Sequence, residues 1–358
     1  MPDIIVKKLR KEYKDVVAVR DVNITFLSNT VTCILGPSGC GKTTFLRMIA
    51  GLEEPTRGEI YFDNKIVNQL ETRERDLAMV FQYPVVYRGL NVYKNIELPL
   101  IRSGISINDR KKRIEEVLSL MDLENKWKSD VTQLDNSSRQ KVAVARVLAR
   151  RPSIMLFDEP LTNVDVETKE QIKKAIKDFS RISKQTIIYV THDQTEAMTL
   201  ADKIVLMKEG SIIQYDEPRK LYNFPNDLFG GWFLGNPGMN FIEVTNKNIG
   251  KMPNPLLSLL SSYLIDGNKI KLDKIIIGIR PEYVKVIENK TNYSIKCNVL
   301  HKVLTIGKQY LIYLKLNDII FKAKVRNEIG KRLHSNAWIE FPKDKIMLFS
   351  GEGERINN

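Results

Sequence analysis

A glycine-rich turn between an apolar segment and a helix-forming one constrains the fold of this chain more than any other feature. The apolar segment Val31–Leu35 has the composition of a buried strand, and the residues after the turn open a helix. Glycines let backbone N–H groups turn toward a bound anion, and a helix N-terminus adds a partial positive charge. The pattern predicts a phosphate-binding loop made of Gly36, Pro37, Ser38, Gly39, Cys40, Gly41, Lys42, Thr43 and Thr44.

A second apolar segment, Ile154–Phe157, runs directly into the acids Asp158 and Glu159. Taken alone, an acidic strand end is most often a solvated turn. Beside a phosphate-binding loop, the same acids predict nucleotide chemistry. We expect Lys42 to contact the β- and γ-phosphates, and Asp158 to hold Mg²⁺ together with the Thr43 hydroxyl. Glu159 is then placed to polarise the attacking water.

His192 is one of only three histidines and follows the predicted strand Thr186–Val190, after Thr191. A lone histidine is more often structural, but here it can reach the γ-phosphate and orient the water. A guanine-reading motif needs an acid after Asn/Thr-Lys-x, and the segment 125–128 has none. We therefore expect ATP, with Mg²⁺, as the bound nucleotide.

Through about residue 222, short β-branched segments alternate with helical ones, which is typical of an α/β fold with a parallel sheet. The region from about 88 to 152 is predicted to form a helical subdomain, with helices at Arg110–Met121 and Ser137–Arg150. Strands are predicted at Val31–Leu35, Leu77–Phe81, Ile154–Phe157, Thr186–Val190 and Lys203–Met207.

A glycine-rich hinge at residues 230–238 separates this region from one without long helices. The boundary predicts two domains, residues 1–234 and 235–358, and the second is expected to be a small all-β, OB-like barrel. Its strands are predicted at Ile275–Ile279, Ile295–Val303, Tyr310–Leu316, Ile319–Val325 and Trp338–Phe341.

Composition narrows the range of functions further. The 358 residues suit two domains, and no apolar run is long enough to span a bilayer. The start of the chain lacks a signal-peptide pattern, and three cysteines without metal-ligand spacing favour a reducing cytoplasm. The net charge is +13, and from Gly235 onward there are 20 Lys and Arg against 11 Asp and Glu. This excess is interpreted as a solvated surface, with nucleic-acid binding as the alternative.

Together, these motifs resemble the ATPase family of ABC transporters. Gln82, which ends the strand Leu77–Phe81, matches the glutamine that in the family joins Mg²⁺, the water and the permease contact. The segment Pro160–Asp165 matches the loop by which two subunits sense each other. Tyr13 matches the aromatic residue on which adenine stacks. The resemblance implies a P-loop NTPase core of ABC type with a helical subdomain.

Three further sequence segments are similar to segments of the carbohydrate-importer ATPases, of which the maltose-type ATPase is the familiar member. They are 191–202, which begins Thr-His-Asp-Gln, 235–241, which begins Gly-Asn-Pro-Gly, and 278–282, Gly-Ile-Arg-Pro-Glu. The likeness covers nearly the whole chain and is looser in the β domain.

One motif departs from the family. Where the family has Leu-Ser-Gly-Gly-Gln, the segment that would bind the ATP of the opposite subunit contains Asp135, Asn136, Ser137 and Ser138. A carboxylate about 4 Å from a phosphate charge costs on the order of 4 kcal/mol at an effective dielectric near 20. We therefore expect a poor ATP clamp on this face, and a heterodimer with a paralogue that carries a complete signature.

The resemblance implies a peripheral subunit on the cytoplasmic face of the membrane. Its partners would be permease subunits, a second ATPase subunit, which is a paralogue or a second copy of this chain, and, indirectly, an extracellular solute-binding protein. No nucleic acid is expected. Importers of polyamine, sulfate or iron, a soluble ABC ATPase acting on nucleic acid or ribosomes, and a regulatory subunit are the alternatives.

Overall fold

The computed structural model describes residues 1–258, 260, 264–265, 269–270, 273–287, 289–305 and 307–356. It forms two compact units, Met1–Leu221 and Tyr222–Asn358. The expected boundary was after residue 234. The intervening residues pack with the second unit because the Leu228 amide donates to Gly353 O (2.9 Å) and the Arg280 side chain binds the Leu234 carbonyl.

The elements follow each other in the chain as follows. The strands are β1 (Ile4–Tyr13), β2 (Val16–Phe26), β3 (Val31–Leu35), β4 (Arg57–Phe62), β5 (Lys65–Ile66), β6 (Leu77–Val80), β7 (Ile154–Asp158), β8 (Thr186–Thr191), β9 (Lys203–Lys208), β10 (Ser211–Asp216), β11 (Asn240–Thr245), β12 (Leu264–Ile265), β13 (Lys269–Ile270), β14 (Lys274–Ile279), β15 (Lys285–Ile287), β16 (Ile295–Thr305), β17 (Gln309–Leu316), β18 (Ile319–Arg326), β19 (Asn336–Glu340), β20 (Ile346–Ser350) and β21 (Arg355–Ile356). The helices are α1 (Lys42–Ala50), α2 (Val92–Arg102), α3 (Ile107–Leu120), α4 (Asn136–Arg150), α5 (Val166–Ser183), α6 (Gln194–Leu200), α7 (Pro218–Asn223), α8 (Leu228–Phe233), α9 (Asn254–Leu257) and α10 (Asn327–Arg332). Short 3₁₀ turns lie at Thr72–Glu74, Val131–Gln133, Ile249–Lys251, Pro281–Tyr283 and Lys343–Lys345.

The first unit is built on a six-stranded sheet in the order β10-β9-β3-β8-β7-β6. All pairs are parallel except β10 with β9. Strands β3, β7 and β8 are buried along their whole length, so their sequences are continuous apolar runs rather than alternating ones. Because parallel strands end at one edge, the segments that follow β3, β6, β7 and β8 are brought together there.

Two further layers complete this unit. Strands β2, β1, β4 and β5 form an antiparallel sheet, which the sequence patterns did not indicate. Helices α2, α3 and α4 form the expected helical subdomain. No helix among the described residues is long and apolar enough to cross a membrane.

The second unit consists mainly of two antiparallel sheets, β11-β14-β20-β21 and β15-β19-β16-β17-β18. Alternate residues of both sheets share one apolar core, which includes Ile277, Ile312 and Phe321. The predicted all-β architecture is confirmed. The α/β core and its helical subdomain are confirmed as well.

Arg280 is fully buried in the second unit, which is unusual for a cation. Its guanidinium donates to the carbonyls of Tyr222 (2.6 Å), Gly231 (3.1 Å) and Leu234, and lies 3.7 Å from the centre of the Tyr222 ring. Burial lowers the pKa of Arg280 from its ordinary value. This one side chain joins the 222–234 segment to β14.

Replacing Arg280 by Leu should lower the free energy of unfolding of the second unit by about 3 kcal/mol, because three buried carbonyls lose a charged donor. Denaturant unfolding followed by Trp232 and Trp338, both in this unit, measures the change. The control Lys274→Leu breaks the exposed Lys274–Glu243 ion pair (2.7 Å) and should cost less than about 1 kcal/mol. Equal losses for the two variants would show that the Arg280 contacts contribute little.

Candidate functional site

The loop after β3 has a backbone path that only glycine allows at two positions. A Cβ added to Gly36 would lie 2.2 Å from Met207 O, and one added to Gly41 would lie 2.1 Å from Ala18 O. Gly41 also has φ of +101°, and it is the N-cap of α1. Gly39 has φ of +78° but faces open space. The predicted loop therefore has the tight turn and the open side that an anion requires.

Lys42 is folded back over this loop and is only 4% exposed. Its Nζ donates to the carbonyls of Gly36 (3.0 Å) and Pro37 (2.9 Å), and lies 3.8 Å from Oε1 of Glu159. The ammonium is thus held at the mouth of the loop by weak neutral acceptors. A phosphate oxygen can replace them as a stronger, charged acceptor.

Thr43 and Asp158 meet although they come from different strand ends. The Thr43 hydroxyl donates to Oδ1 of Asp158 at 2.7 Å, and Asp158 is 3% exposed. Burial raises the pKa of Asp158, and the Thr43 hydrogen bond opposes that rise. A buried carboxylate beside a hydroxyl is the oxygen donor set that suits a small divalent cation such as Mg²⁺.

Glu159 and His192 form a second pair at the same edge. Nδ1 of His192 lies 3.0 Å from Oε2 of Glu159, and the Thr162 hydroxyl donates to the same oxygen at 3.3 Å. Glu159 has φ of +45°, a strained conformation for a residue other than glycine. Its amide donates to Val190 O (3.0 Å), which fixes the turn against β8.

A cavity of about 560 Å³ opens over the loop. This volume is suited to a nucleotide-sized ligand. It is lined by Val16, Val17, Ala18, Arg20, Ser38, Gly39, Gly41, Lys42, Thr43, Thr44, Gln82, Glu159, Glu209 and Gly210.

Some of the predicted residues line this cavity and others adjoin it. Gln82 and Glu159 line it directly. Asp158 does not line it but accepts a hydrogen bond from the lining residue Thr43, and His192 contacts the lining residue Glu159. Tyr13 is not a lining residue. It pairs with the lining residue Val16 across the β1–β2 turn.

Sequence reasoning missed the other side of the cavity, where β2 meets the β9–β10 turn. The Arg20 amide donates to Gly210 O (2.8 Å), and its guanidinium donates to Glu209 O (2.9 Å). These residues lie far apart in the chain, and no local pattern links them.

The segment 135–138 lies outside the lining of this cavity. Asp135 is the N-cap of α4 and accepts the Ser138 amide at 2.6 Å. That amide, followed by other hydrogen bonds and the Lys126 charge, lowers the pKa of Asp135. Nζ of Lys126 lies 3.9 Å from the carboxylate.

Comparison with known proteins agrees with this geometry. The family model described as "ABC transporter" matches residues 19–162. The chain is 35% identical to the oligosaccharides import ATP-binding protein MsmX of Bacillus subtilis, over 94% of each chain. It is 34% identical to the maltose/maltodextrin import ATP-binding protein MalK of Mannheimia succiniciproducens, over 89% of this chain and 87% of that one.

Among solved structures, a dimeric ATP-binding cassette in a post-hydrolysis state, bound to ADP and Pi, is 33% identical with a TM-score of 0.55. The match covers 60% of this chain and 99% of that one. This chain therefore belongs to the ATP-binding subunits of ABC transporters, and it is an ATPase. The relatives that it resembles over nearly its whole length are named as import ATP-binding proteins, for oligosaccharides or maltodextrin in the two cases above.

Replacing Asp158 by Asn should separate stability from ligand binding. Removing a buried charge should stabilise the ligand-free protein by about 1 kcal/mol, while magnesium-dependent binding of ATP is lost. Thermal unfolding with and without MgATP measures both effects. Asp318→Asn, which removes an exposed carboxylate of the second unit, is the control and should change neither. An undiminished MgATP shift in Asp158→Asn would remove Asp158 from the metal site.

Proposed function

We propose that this chain powers the import of a sugar by hydrolysing MgATP at a dimer interface beneath a membrane permease. The proposal rests on the contacts between the phosphate loop and the two acids Asp158 and Glu159. Thr43 contacts Asp158, and Lys42 and His192 flank Glu159. A solvated acidic turn needs none of these contacts.

In this proposal the oxygens of Thr43, Asp158 and Gln82 hold Mg²⁺, and the Lys42 ammonium neutralises phosphate charge. The ion supplies charge stabilisation during phosphoryl transfer. We expect backbone N–H groups of the loop and of the first turn of α1 to cradle the phosphates. Adenine stacks on Tyr13, which its position next to Val16 at the edge of the cavity supports.

Glu159 and His192 act on the attacking water. The glutamate accepts a hydrogen bond from the water and orients it in line, and the imidazole fixes the glutamate and contacts the γ-phosphate. The imidazole at 3.0 Å helps to orient the carboxylate, and so does the Thr162 hydroxyl, which lies 3.3 Å from the carboxylate and 3.2 Å from the Glu159 carbonyl. This pre-organisation favours attack over random solvent encounter.

The permease docks, in this proposal, on the helical subdomain and the segment Tyr83–Leu90. A groove of about 550 Å³ lies there, and Tyr83 is 68% exposed at its side. Exposed apolar and aromatic side chains around a groove are typical of a helix-docking surface. Such docking would hold the chain on the cytoplasmic face of the membrane, opposite an extracellular solute-binding protein.

The degenerate signature supports pairing with a second, complete ATPase subunit. The site built on this chain's own loop retains all its side chains, whereas the segment 135–138 would contact the partner's nucleotide. Its acid is offset in part by Lys126 at 3.9 Å, but the family's serine carries no charge at all. We therefore propose one competent and one impaired site, with the C-terminal domain, residues 235–358, in a regulatory role.

Polyamine, sulfate and iron importers are rival functions, because the solute contacts the permease and not the ATPase. A soluble ABC ATPase acting on nucleic acid or ribosomes is not favoured, since the relatives described above are import proteins. ATPase stimulation by a permease in lipid, rather than by nucleic acid, separates these classes.

Replacing Glu159 by Gln should lower the turnover number by about a hundredfold or more and trap an ATP-bound dimer, since the water loses its acceptor. ATPase assays and size-exclusion chromatography with MgATP measure these effects. The control Glu167→Gln, in an exposed acid at the start of α5, should leave both unchanged. Continued fast turnover in Glu159→Gln would remove Glu159 from its role.

Mixing the chain with a paralogue that has a complete signature should raise ATPase activity about tenfold over either chain alone. Asp135→Ser should raise the activity of this chain alone, because it removes the charge facing the partner's phosphate. Asp130→Ser, in a nearby acid that caps Thr132, is the matched control. Vigorous activity of the chain alone, unchanged by Asp135→Ser, would contradict the heterodimer.

A further inference from the structure

The two residues that replace the signature glycines both bind a loop of their own chain. Nδ2 of Asn136 donates to the carbonyl of Asn163 at 2.8 Å. The Asp165 amide donates to Oγ of Ser137 at 3.3 Å. The Asn163 carbonyl and the Asp165 amide both lie in the segment 160–165, which connects Glu159 to α5. A glycine has no side chain, so neither bond can form in a chain with the family's sequence.

Asp165 makes hydrogen bonds with residues at the N-termini of both α4 and α5. It is the N-cap of α5 and accepts the amide (2.9 Å) and the hydroxyl (2.8 Å) of Thr168. The pKa of Asp165 is held well below its usual range. The largest cause is the hydrogen bond with the Ser137 side chain, followed by those with the amide and the hydroxyl of Thr168. The charged carboxylate is thus kept in a site made by two helix N-termini.

The neighbouring signature residues are also engaged within the chain. Asp135 accepts the Ser138 amide, and the Ser138 hydroxyl accepts from Nζ of Lys126 at 2.9 Å. All four side chains of the segment therefore have partners in their own subunit. This is the opposite of a segment prepared to bind phosphate, whose polar groups point at the ligand.

The fastened loop leads directly to the catalytic centre. The Thr162 amide donates to the Glu159 carbonyl (3.4 Å), and the Thr162 hydroxyl contacts its carboxylate at 3.3 Å. Thr162 immediately precedes Asn163. Movement at Asn163 therefore changes the hydrogen bond that helps to orient Glu159.

We infer that Asn136 and Ser137 are positioning residues, which fasten the 160–165 loop of their own chain and thereby orient Glu159. We call Asn136, Ser137, Asn163 and Asp165 the signature clasp. The degenerate segment has lost contacts to a partner's nucleotide and instead stabilises the hydrolytic site of its own subunit. The catalytic consequence rests on the proposed function, whereas the clasp itself does not.

Hydrogen exchange on the full-length, nucleotide-free chain tests the clasp directly. Asn136→Ala with Ser137→Ala should speed exchange of the amides in 160–165, above all that of Asp165, by about tenfold, because two hydrogen bonds are lost. Amides of β7 should not change. The control Lys126→Ala removes contacts to Asp135 and Ser138 only, and should leave the loop's exchange rates unaltered.

Two further measurements separate positioning from bulk stability. Ser137→Ala should raise the pKa of Asp165 toward its ordinary value, read from the chemical shift of the labelled carboxyl carbon. In the assembly that hydrolyses ATP, the double variant should lower kcat about tenfold and leave KM for ATP at the site on this chain's own loop unchanged, since Lys42, Thr43 and Asp158 of that site are unaltered.

Unchanged exchange in 160–165, or equal acceleration in Lys126→Ala, would overturn the clasp. Faster exchange with unaltered kcat would overturn the positioning role. If the wild-type chain shows no ATPase activity alone or with a paralogue, the proposed function fails, and the exchange and the pKa of Asp165 still decide whether the clasp exists.

Discussion

The hydrogen bond between the Thr43 hydroxyl and the Asp158 carboxylate joins the two segments on which the site depends. These residues lie 115 positions apart and meet because β3 and β7 flank β8 in one parallel sheet. Burial raises the pKa of Asp158, so the ligand-free protein stores an unfavourable charge that a divalent cation would relieve. The sheet order thus sets both the geometry and the electrostatics of the site.

Local sequence was enough to predict the parts of the site that depend on local backbone geometry. The glycines of the 36–44 loop follow β3, Asp158 and Glu159 lie at the end of β7, and His192 follows β8. All of them lie at the expected edge of the sheet. The wall formed by Arg20 and the β9–β10 turn depends on contacts between residues 189 positions apart, which no short pattern encodes. Tyr13 was inferred only from resemblance, and its adenine contact stays a prediction.

The second unit shows the same division between local and distant signals. Short apolar segments predicted β14, β16, β17, β18 and β19 of this unit, whereas β11, β15 and β20 were not predicted. The segment 230–238 was interpreted as a hinge because of its glycines. Its place in the second unit depends on Arg280, 46 positions beyond Leu234, whose guanidinium binds the carbonyls that the glycine-rich backbone presents. Composition indicates flexibility, but hydrogen bonding to a buried cation removes it.

The combination of an intact phosphate loop and a degenerate signature has a consequence for assembly. In a closed dimer of this family each nucleotide lies between the loop of one subunit and the signature of the other. In the heterodimer proposed above, a partner with a complete signature would give one fully equipped site, whereas two copies of this chain would give two sites that each contain the degenerate segment. A side chain that replaces a signature glycine loses nothing at the chain's own site. It can bind the 160–165 loop instead. Nδ2 of Asn136 donates to the Asn163 carbonyl at 2.8 Å, and the preceding residue, Thr162, contacts the Glu159 carboxylate at 3.3 Å.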